Sequence, residues 1–127
     1  MRRALLIEDE VMVAMYVEDL LREAGYQVVA LGTTLDHALV LARTASFDFA
    51  VLDINLAGKV SFPVAAILRE RGIPFLFASG YASRGLIEEY SDAVRTQKPF
   101  CSRDLTQAID RILTPGAPTG LSPGTSQ

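Results

Sequence analysis

Cysteine and histidine are nearly absent from this sequence, which has one of each among its 127 residues. Cys101 alone cannot form an internal disulfide bond, and a lone cysteine is typical of a protein from a reducing compartment. The single histidine, His37, cannot build the cluster of cysteines and histidines that a zinc site requires. These shortages exclude a disulfide scaffold and argue against zinc chemistry.

The chain also lacks a basic block and a long apolar run. Its 12 basic residues are scattered, and the net charge is −3, so nucleic-acid binding through charge has little support. No apolar run approaches the roughly 18 residues of a membrane span. The first residues, MRRALLIEDE, lack the cleavage site of a signal peptide. With half of its residues apolar, the sequence predicts one soluble, cytoplasmic domain.

The last 14 residues, 114–127, differ in composition from the rest. They carry no charge and hold three of the six prolines and three of the nine glycines. Such a segment buries too little apolar surface to offset the entropy lost when it becomes ordered. We therefore expect a domain over residues 1–113 and a flexible tail, rich in Pro, Gly and Ser, over residues 114–127.

Within residues 1–113, short apolar runs alternate with segments of helical spacing. Five buried strands are predicted around residues 4–7, 27–31, 49–52, 74–78 and 93–97, and five helices around residues 11–24, 35–42, 64–71, 84–90 and 102–113. Such alternation implies a parallel sheet covered on both faces, and five units cannot close an eight-stranded barrel. The predicted fold is α/β, a (βα)5 doubly wound open sheet of flavodoxin-like type with strand order 2-1-3-4-5.

The ends and faces of the helices are also predicted. Gly25 and Gly72 should end the first and third helices, and Thr33 or Thr34 should cap the second. His37 should face outward from the second helix. The first helix is expected to bury one face, formed by Val13, Val17, Leu20, Leu21 and Ala24.

Charged and polar residues follow four of the five predicted strands. The acidic run 8–10 follows the first strand, Asp53 the third, Ser79 the fourth and Lys98 the fifth. Ligand sites of open α/β sheets lie at the carboxyl ends of the strands. Each residue alone has a structural explanation, as a solvated acid, a helix cap or a partner in a structural ion pair. Their common placement at one edge favours a functional site.

The residue types at this edge point to phosphoryl chemistry. Carboxylates of Glu8, Asp9 and Asp53 that converge would repel one another and raise their own pKa values, and Mg²⁺ would relieve that repulsion. A carboxylate nucleophile beside a metal, with Lys98 and the Ser79 hydroxyl, suits phosphoryl transfer to the carboxylate. The chain has no P-loop, GxGxxG or nucleophile elbow, so nucleotide, NAD and serine-hydrolase functions lose their main support.

The residues of this edge lie in four motifs, which are LLIEDE, VLDINLAG with Asp53, FASGY with Ser79, and QKPF with Lys98. With them in this order, from about residue 4 to residue 113, the chain resembles the receiver domain of two-component response regulators. The stretch PFLFASGY is similar to the PFxFATGY motif of proteobacterial single-domain regulators, with Ser79 where threonine is usual.

The resemblance implies a role for each acid. Asp53 would be the phosphoacceptor. Asp9 and Asp53 would bind Mg²⁺ directly, Glu8 through water, and the backbone carbonyl of Asn55 would be the third protein ligand. A phosphatase using Asp53 as nucleophile would usually need a second Asp two residues on, where this chain has Asn55.

The resemblance also implies roles on the last two strands. Lys98 would pair with Asp53 and then with the phosphoryl group, Ser79 would hydrogen-bond that group, and Pro99 would be a candidate cis peptide that aims Lys98 into the pocket. Arg95 stands where the family carries an aromatic switch residue, which puts the usual switch in doubt. Tyr81 could take a related role or simply pack on the surface. Arg95 could contact an acid of a partner or be an ordinary exposed residue.

The expected function is that of a stand-alone response regulator. It would accept phosphate from a sensor histidine kinase or a histidine phosphotransfer protein, docked on the first helix and the loop after the fifth strand. It would signal by protein–protein contact, with the face of the fourth and fifth strands as output or homodimer surface. It would not be an enzyme beyond its own phosphorylation and dephosphorylation. An adaptor that is never phosphorylated and a receiver cut from a longer chain stay alternatives.

Overall fold

The computed structural model describes residues 2–79, 93–98 and 100–114. In chain order its elements are β1 (Arg3–Ile7), α1 (Val11–Glu23), β2 (Gln27–Gly32), α2 (Leu35–Thr44), β3 (Phe49–Asp53), β4 (Asn55–Leu56), β5 (Lys59–Val60), α3 (Phe62–Arg71), β6 (Phe75–Ser79), β7 (Arg95–Gln97) and α4 (Ser102–Leu113). None of these helices is long and apolar enough to cross a membrane.

Five strands form one parallel sheet in the order β2-β1-β3-β6-β7. This confirms the predicted doubly wound architecture, because β6 and β7 are the fourth and fifth strands of the prediction. The register aligns the carboxyl ends of the central strands: Ile7 lies opposite Leu52, and Asp53 lies opposite Ala78. The residues that directly follow these strands therefore lie at the same edge of the sheet.

The core has two layers, one on each face of the sheet. Along β1, Ala4 and Leu6 pack on the face that α1 and α4 cover, whereas Leu5 and Ile7 pack on the face that α2 and α3 cover. This alternation follows from the period of two residues that places successive side chains of a strand on opposite faces. Both faces of the central strands are thus buried, as their continuous apolar runs predict.

Local signals set the helix ends. Thr34 caps α2, since its side chain accepts a hydrogen bond from the amide of His37, and His37 is exposed as predicted. Gly72 follows α3 in the left-handed conformation, with φ of 72°. The prediction for α1 is wrong at one position: Ala24 lies beyond the helix end and is exposed, and Ala14 is buried instead.

A short antiparallel hairpin, β4 and β5, stands between β3 and α3 and was not predicted. Its turn is Ala57-Gly58, and both residues have positive φ, 53° and 88°. Such turns match the twist of two short strands. The predicted helix around residues 84–90, Tyr81, Pro99 and nearly all of the predicted tail lie outside the described residues.

Candidate functional site

The site is built around a buried ion pair at the carboxyl edge of the sheet. Glu8 follows β1 and is 2% exposed, and Asp53 ends β3 and is 5% exposed. Lys98, which follows β7, places its Nζ 2.8 Å from Glu8 Oε1 and 3.3 Å from Asp53 Oδ2. One ammonium group therefore bridges acids from two neighbouring strands. The resemblance implied a pair with Asp53; the structure adds Glu8 at the shorter distance.

Acids of the β1–α1 corner complete this edge. Carboxylate oxygens of Glu8, Asp9 and Glu10 lie within 4.8 Å of one another. The amide of Glu10 also donates a hydrogen bond to Glu8 Oε2, 3.2 Å away, which fixes the carboxylate of Glu8 at this corner. The corner thus gathers three carboxylates, and Glu8 belongs both to this group and to the ion pair with Lys98.

Burial shapes the electrostatics of Asp53. The pKa of Asp53 is raised from 3.8 to about 7. Desolvation by burial is the largest cause, the charge of Lys98 opposes it, and the neighbouring Glu8 carboxylate adds to it. Repulsion between the acids, expected from the sequence, contributes to this raised pKa, but burial is the larger cause. Because its charged form is disfavoured, this carboxyl group is strongly stabilised in the charged form by a cation placed beside it.

Lys98 is perturbed in the direction that keeps it charged. Burial by itself lowers the pKa of Lys98, but the hydrogen bond to Glu8 and the charges of Asp53 and Glu8 outweigh burial, so its pKa lies above the ordinary value. Lys98 is therefore a permanent cation at neutral pH, held against two acids.

The unpredicted hairpin orients two of the acids. The amide of Asn55 lies 3.3 Å from Asp53 Oδ1, and the amide of Ala57 lies 2.8 Å from Asp9 Oδ2. Gly58 in turn donates to Asn55 Oδ1 at 2.8 Å. The signal that could have revealed this device is the Ala57-Gly58 pair between Leu56 and Lys59, since a glycine in a two-residue loop is typical of a hairpin.

Next to the acids, α1 presents an apolar surface. We call it the α1 patch; it consists of Val11, Met12, Met15 and Tyr16, all exposed. The hydroxyl of Tyr16 donates a hydrogen bond to the carbonyl of Phe100, 2.9 Å away. Phe100 stands two residues after Lys98, so α1 is tied to the loop that carries the lysine. This contact was not foreseen.

The remaining predicted residues are less fully described. Ser79 ends β6 opposite Gln97, whereas its hydroxyl, like Tyr81 and Pro99, lies outside what the structure describes. Arg95 is exposed on β7. Cys101 is exposed and stands directly before α4.

Comparisons with known proteins agree with this geometry. A family model described as the response regulator receiver domain matches residues 4–110. The transcriptional regulatory protein PdtaR of Mycobacterium tuberculosis is 30% identical over 113 residues, which are 86% of this chain and 55% of PdtaR. The solution structure of SdrG from Sphingomonas melonis Fr1 has a TM-score of 0.82 and 34% identity, and the match covers 90% of this chain and 98% of that one.

A second solved structure is the receiver domain of the response regulator PhyR from Erythrobacter litoralis. It has a TM-score of 0.76 and 27% identity, and the match covers 88% of this chain and 89% of that domain. The chain spans about half the length of PdtaR. Because the family model covers most of the chain and the fold and motifs agree with it, the chain belongs to the family of response regulator receiver domains.

Proposed function

We propose that this receiver domain accepts a phosphoryl group on Asp53 in a reaction that requires Mg²⁺, and that it signals through protein–protein contact. The observation that carries the proposal is the buried bridge of Lys98 to Asp53 and Glu8 at the sheet edge. Buried ions of this kind are costly to the fold, and perturbed pKa values cluster at functional sites. A purely structural role would not explain why the fold keeps these destabilising buried charges.

In the proposed reaction, a carboxylate oxygen of Asp53 attacks the phosphorus of a phosphohistidine on the donor protein. A P–O bond forms, the P–N bond breaks, and the leaving imidazole takes up a proton. Lys98 then shifts its ammonium toward the new phosphoryl oxygens and offsets their charge. We expect the Ser79 hydroxyl to donate a hydrogen bond to the same group. Self-dephosphorylation is the one other reaction that the proposal includes.

The donor set fits Mg²⁺. Its side-chain groups are all oxygens, and three carboxylates lie within 4.8 Å of one another at the β1–α1 corner. Asp9 and Asp53 would hold the ion directly, Glu8 through water, and the backbone carbonyl of Asn55 would complete the protein's share. When bound, the ion supplies positive charge that offsets the carboxylates and the phosphoryl oxygens. The hairpin holds Asp9 and Asp53 ready for that role.

A protein donor would dock beside these acids. We propose that a sensor histidine kinase or a histidine phosphotransfer protein covers the α1 patch, because exposed apolar side chains next to a reactive group are typical of a protein-binding surface. The output target would prefer the phosphorylated form, and the face of β6 and β7 is the proposed output or dimer surface. We further propose that the protein acts in the cytoplasm.

The stand-alone role is part of the proposal. The extent of the match to SdrG, nearly the whole of that chain, supports it, whereas the greater length of PdtaR favours a receiver that belongs to a longer protein. Both versions share the chemistry at Asp53. They differ in whether the signal leaves through a separate protein or through an attached domain.

The test is intact mass after incubation with phosphoramidate and Mg²⁺. The wild type should gain one phosphoryl group only with Mg²⁺, Asp53→Asn should gain none, and Asp110→Asn, an exposed acid on α4, should behave as the wild type. If the wild type gains no phosphate from this donor or from a phosphohistidine protein, the phosphoacceptor proposal fails. A constitutive adaptor then becomes the better account.

A further inference from the structure

The hydrogen bond between Tyr16 and Phe100 joins two parts of the site that are 84 residues apart in sequence. Tyr16 lies on the second turn of α1, the helix that begins directly after the acidic run 8–10. Phe100 lies between Lys98 and the start of α4 at Ser102. The bond therefore ties the segment that carries the acids to the segment that carries the lysine.

The Phe100 carbonyl belongs to no regular element. β7 ends at Gln97, and the first backbone bond of α4 runs from the Leu105 amide to the Cys101 carbonyl. The Phe100 ring is buried in the core, which fixes the ring but not the direction of its carbonyl group. The Tyr16 hydroxyl supplies a partner for that carbonyl and so fixes the backbone at Phe100, two residues after Lys98.

From this geometry we infer that Tyr16 is a positioning residue for Lys98. By holding the Phe100 carbonyl against α1, its hydroxyl keeps the Lys98 ammonium at 2.8 Å from Glu8 and 3.3 Å from Asp53. The inference rests on the proposed function for its meaning, because the position of Lys98 matters only if Lys98 acts on the phosphoryl group. The tether itself can be tested without any phosphoryl transfer.

Tyr16 also belongs to the α1 patch and is 48% exposed. Water therefore competes for its hydroxyl, and a single tether of this kind has a modest effect. Loss of one neutral hydrogen bond corresponds to a change of about fivefold in an equilibrium or a rate. A small shift of a catalytic group from its productive position lowers a rate by a comparable or larger factor.

The direct test is NMR of the full chain, comparing the wild type with Tyr16→Phe, which removes only the hydroxyl. Tyr26→Phe is the matched control, because it also removes one tyrosine hydroxyl, and the Tyr26 ring packs edge-on against Phe49 at the start of β3. We expect Tyr16→Phe to shift the Phe100 carbonyl signal and to move the Lys98 side-chain signals toward those of a free lysine. Tyr26→Phe should leave both signals in place. Unchanged Lys98 signals in Tyr16→Phe would overturn the inference.

Kinetics give a second, independent readout. With phosphoramidate and Mg²⁺, Tyr16→Phe should slow phosphorylation of Asp53 about fivefold. In a Lys98→Met background the same substitution should have no further effect, because a residue that acts through Lys98 has nothing left to position. An equal slowing in both backgrounds would show that Tyr16 acts by another route and would overturn the inference. Absence of any phosphorylation in the wild type would instead contradict the proposed function, and the NMR comparison would still decide the tether.

Discussion

The bodies and the ends of the central strands are equally buried but chemically opposite. Ile7 and Leu52 lie opposite each other and are fully buried; the next residues, Glu8 and Asp53, are almost as buried and carry acids. Burying a leucine or isoleucine side chain stabilises a fold by about 1.5–3 kcal/mol, whereas a buried ion costs several kcal/mol unless it is paired. One step along each strand thus changes the sign of the contribution to stability.

This difference shows how the domain supports a reactive edge. Burial raises the pKa of Asp53, so the folded protein disfavours the charged form of this carboxyl group. The ammonium of Lys98 offsets part of the cost of burying the Asp53 charge. The apolar layers on both faces of the sheet stabilise the fold and compensate for the rest. Substitutions in the strand bodies and at the strand ends should therefore change the free energy of unfolding with different sign, size and pH dependence.

The largest effect is expected in the body of a strand. Leu5→Ala should lower the free energy of unfolding by about 2–5 kcal/mol, because it leaves a cavity that the small neighbours Ala30 and Ala50 on either side cannot fill. Val40→Ala, at an exposed position of α2, should change stability by less than about 0.5 kcal/mol. Urea unfolding measures both. A loss below about 1 kcal/mol for Leu5→Ala would break the comparison.

Removal of the bridging cation should have the second largest effect on stability. Lys98→Met should destabilise the metal-free protein by about 2 kcal/mol at pH 8, because Glu8 and Asp53 are left as unpaired buried acids. The loss should shrink at pH 5.5, below the pKa of Asp53, because Asp53 is then neutral in both proteins and only Glu8 loses a charged partner. Lys59→Met, at an exposed position of the hairpin, is the control and should show no such pH dependence. An equal loss at both pH values would argue against strain at Asp53.

Much of this contrast could be predicted from sequence. Continuous apolar runs identified the strands, and the types of residue that follow them identified the reactive edge, because parallel strands bring their carboxyl ends together whatever the distances in sequence. The pairing of Asp53 with Lys98 follows the same logic: both stand directly at strand ends, and a buried acid needs a cation.

The parts that could not be predicted depend on single hydrogen bonds and on local backbone geometry. The hairpin has only two residues in each strand, too few for a pattern of alternation, although Ala57-Gly58 hinted at its turn. The bond from Tyr16 to Phe100 joins residues whose separation is set by tertiary packing.

At Asp53 itself the expected effect is a gain in stability. The pKa of Asp53 lies at about 7 in the metal-free fold and near 3.8 when the chain is unfolded, so the folded form binds the proton more tightly. Between these values the free energy of unfolding falls as pH rises, and Asp53 should cost about 1–2 kcal/mol between pH 5.5 and pH 8. Asp53→Asn should remove this pH dependence and stabilise the metal-free protein at pH 8, part of the gain being lost with the Lys98 pair.

The measurement is urea unfolding at pH 5.5 and pH 8 in the presence of a chelator, with Asp110→Asn as the control for loss of one exposed acid. The difference between the wild type and Asp53→Asn should be larger at pH 8 than at pH 5.5. A wild type that becomes more stable with rising pH, relative to the variant, would contradict a raised pKa at Asp53.

The smallest effect should come from the edge strand β2, whose end carries no acid. There the polar residue Thr34 only caps α2, so Thr34→Ala should lower the free energy of unfolding by about 1 kcal/mol at every pH and leave phosphorylation of Asp53 unchanged. Thr44→Ala, at the other end of the same helix, should be close to neutral, because a threonine hydroxyl bonded to the carbonyl four residues earlier adds little to a helix. A slower phosphorylation in Thr34→Ala would mean that β2 contributes to the site, and the distinction between strand ends that stabilise and strand ends that react would no longer hold.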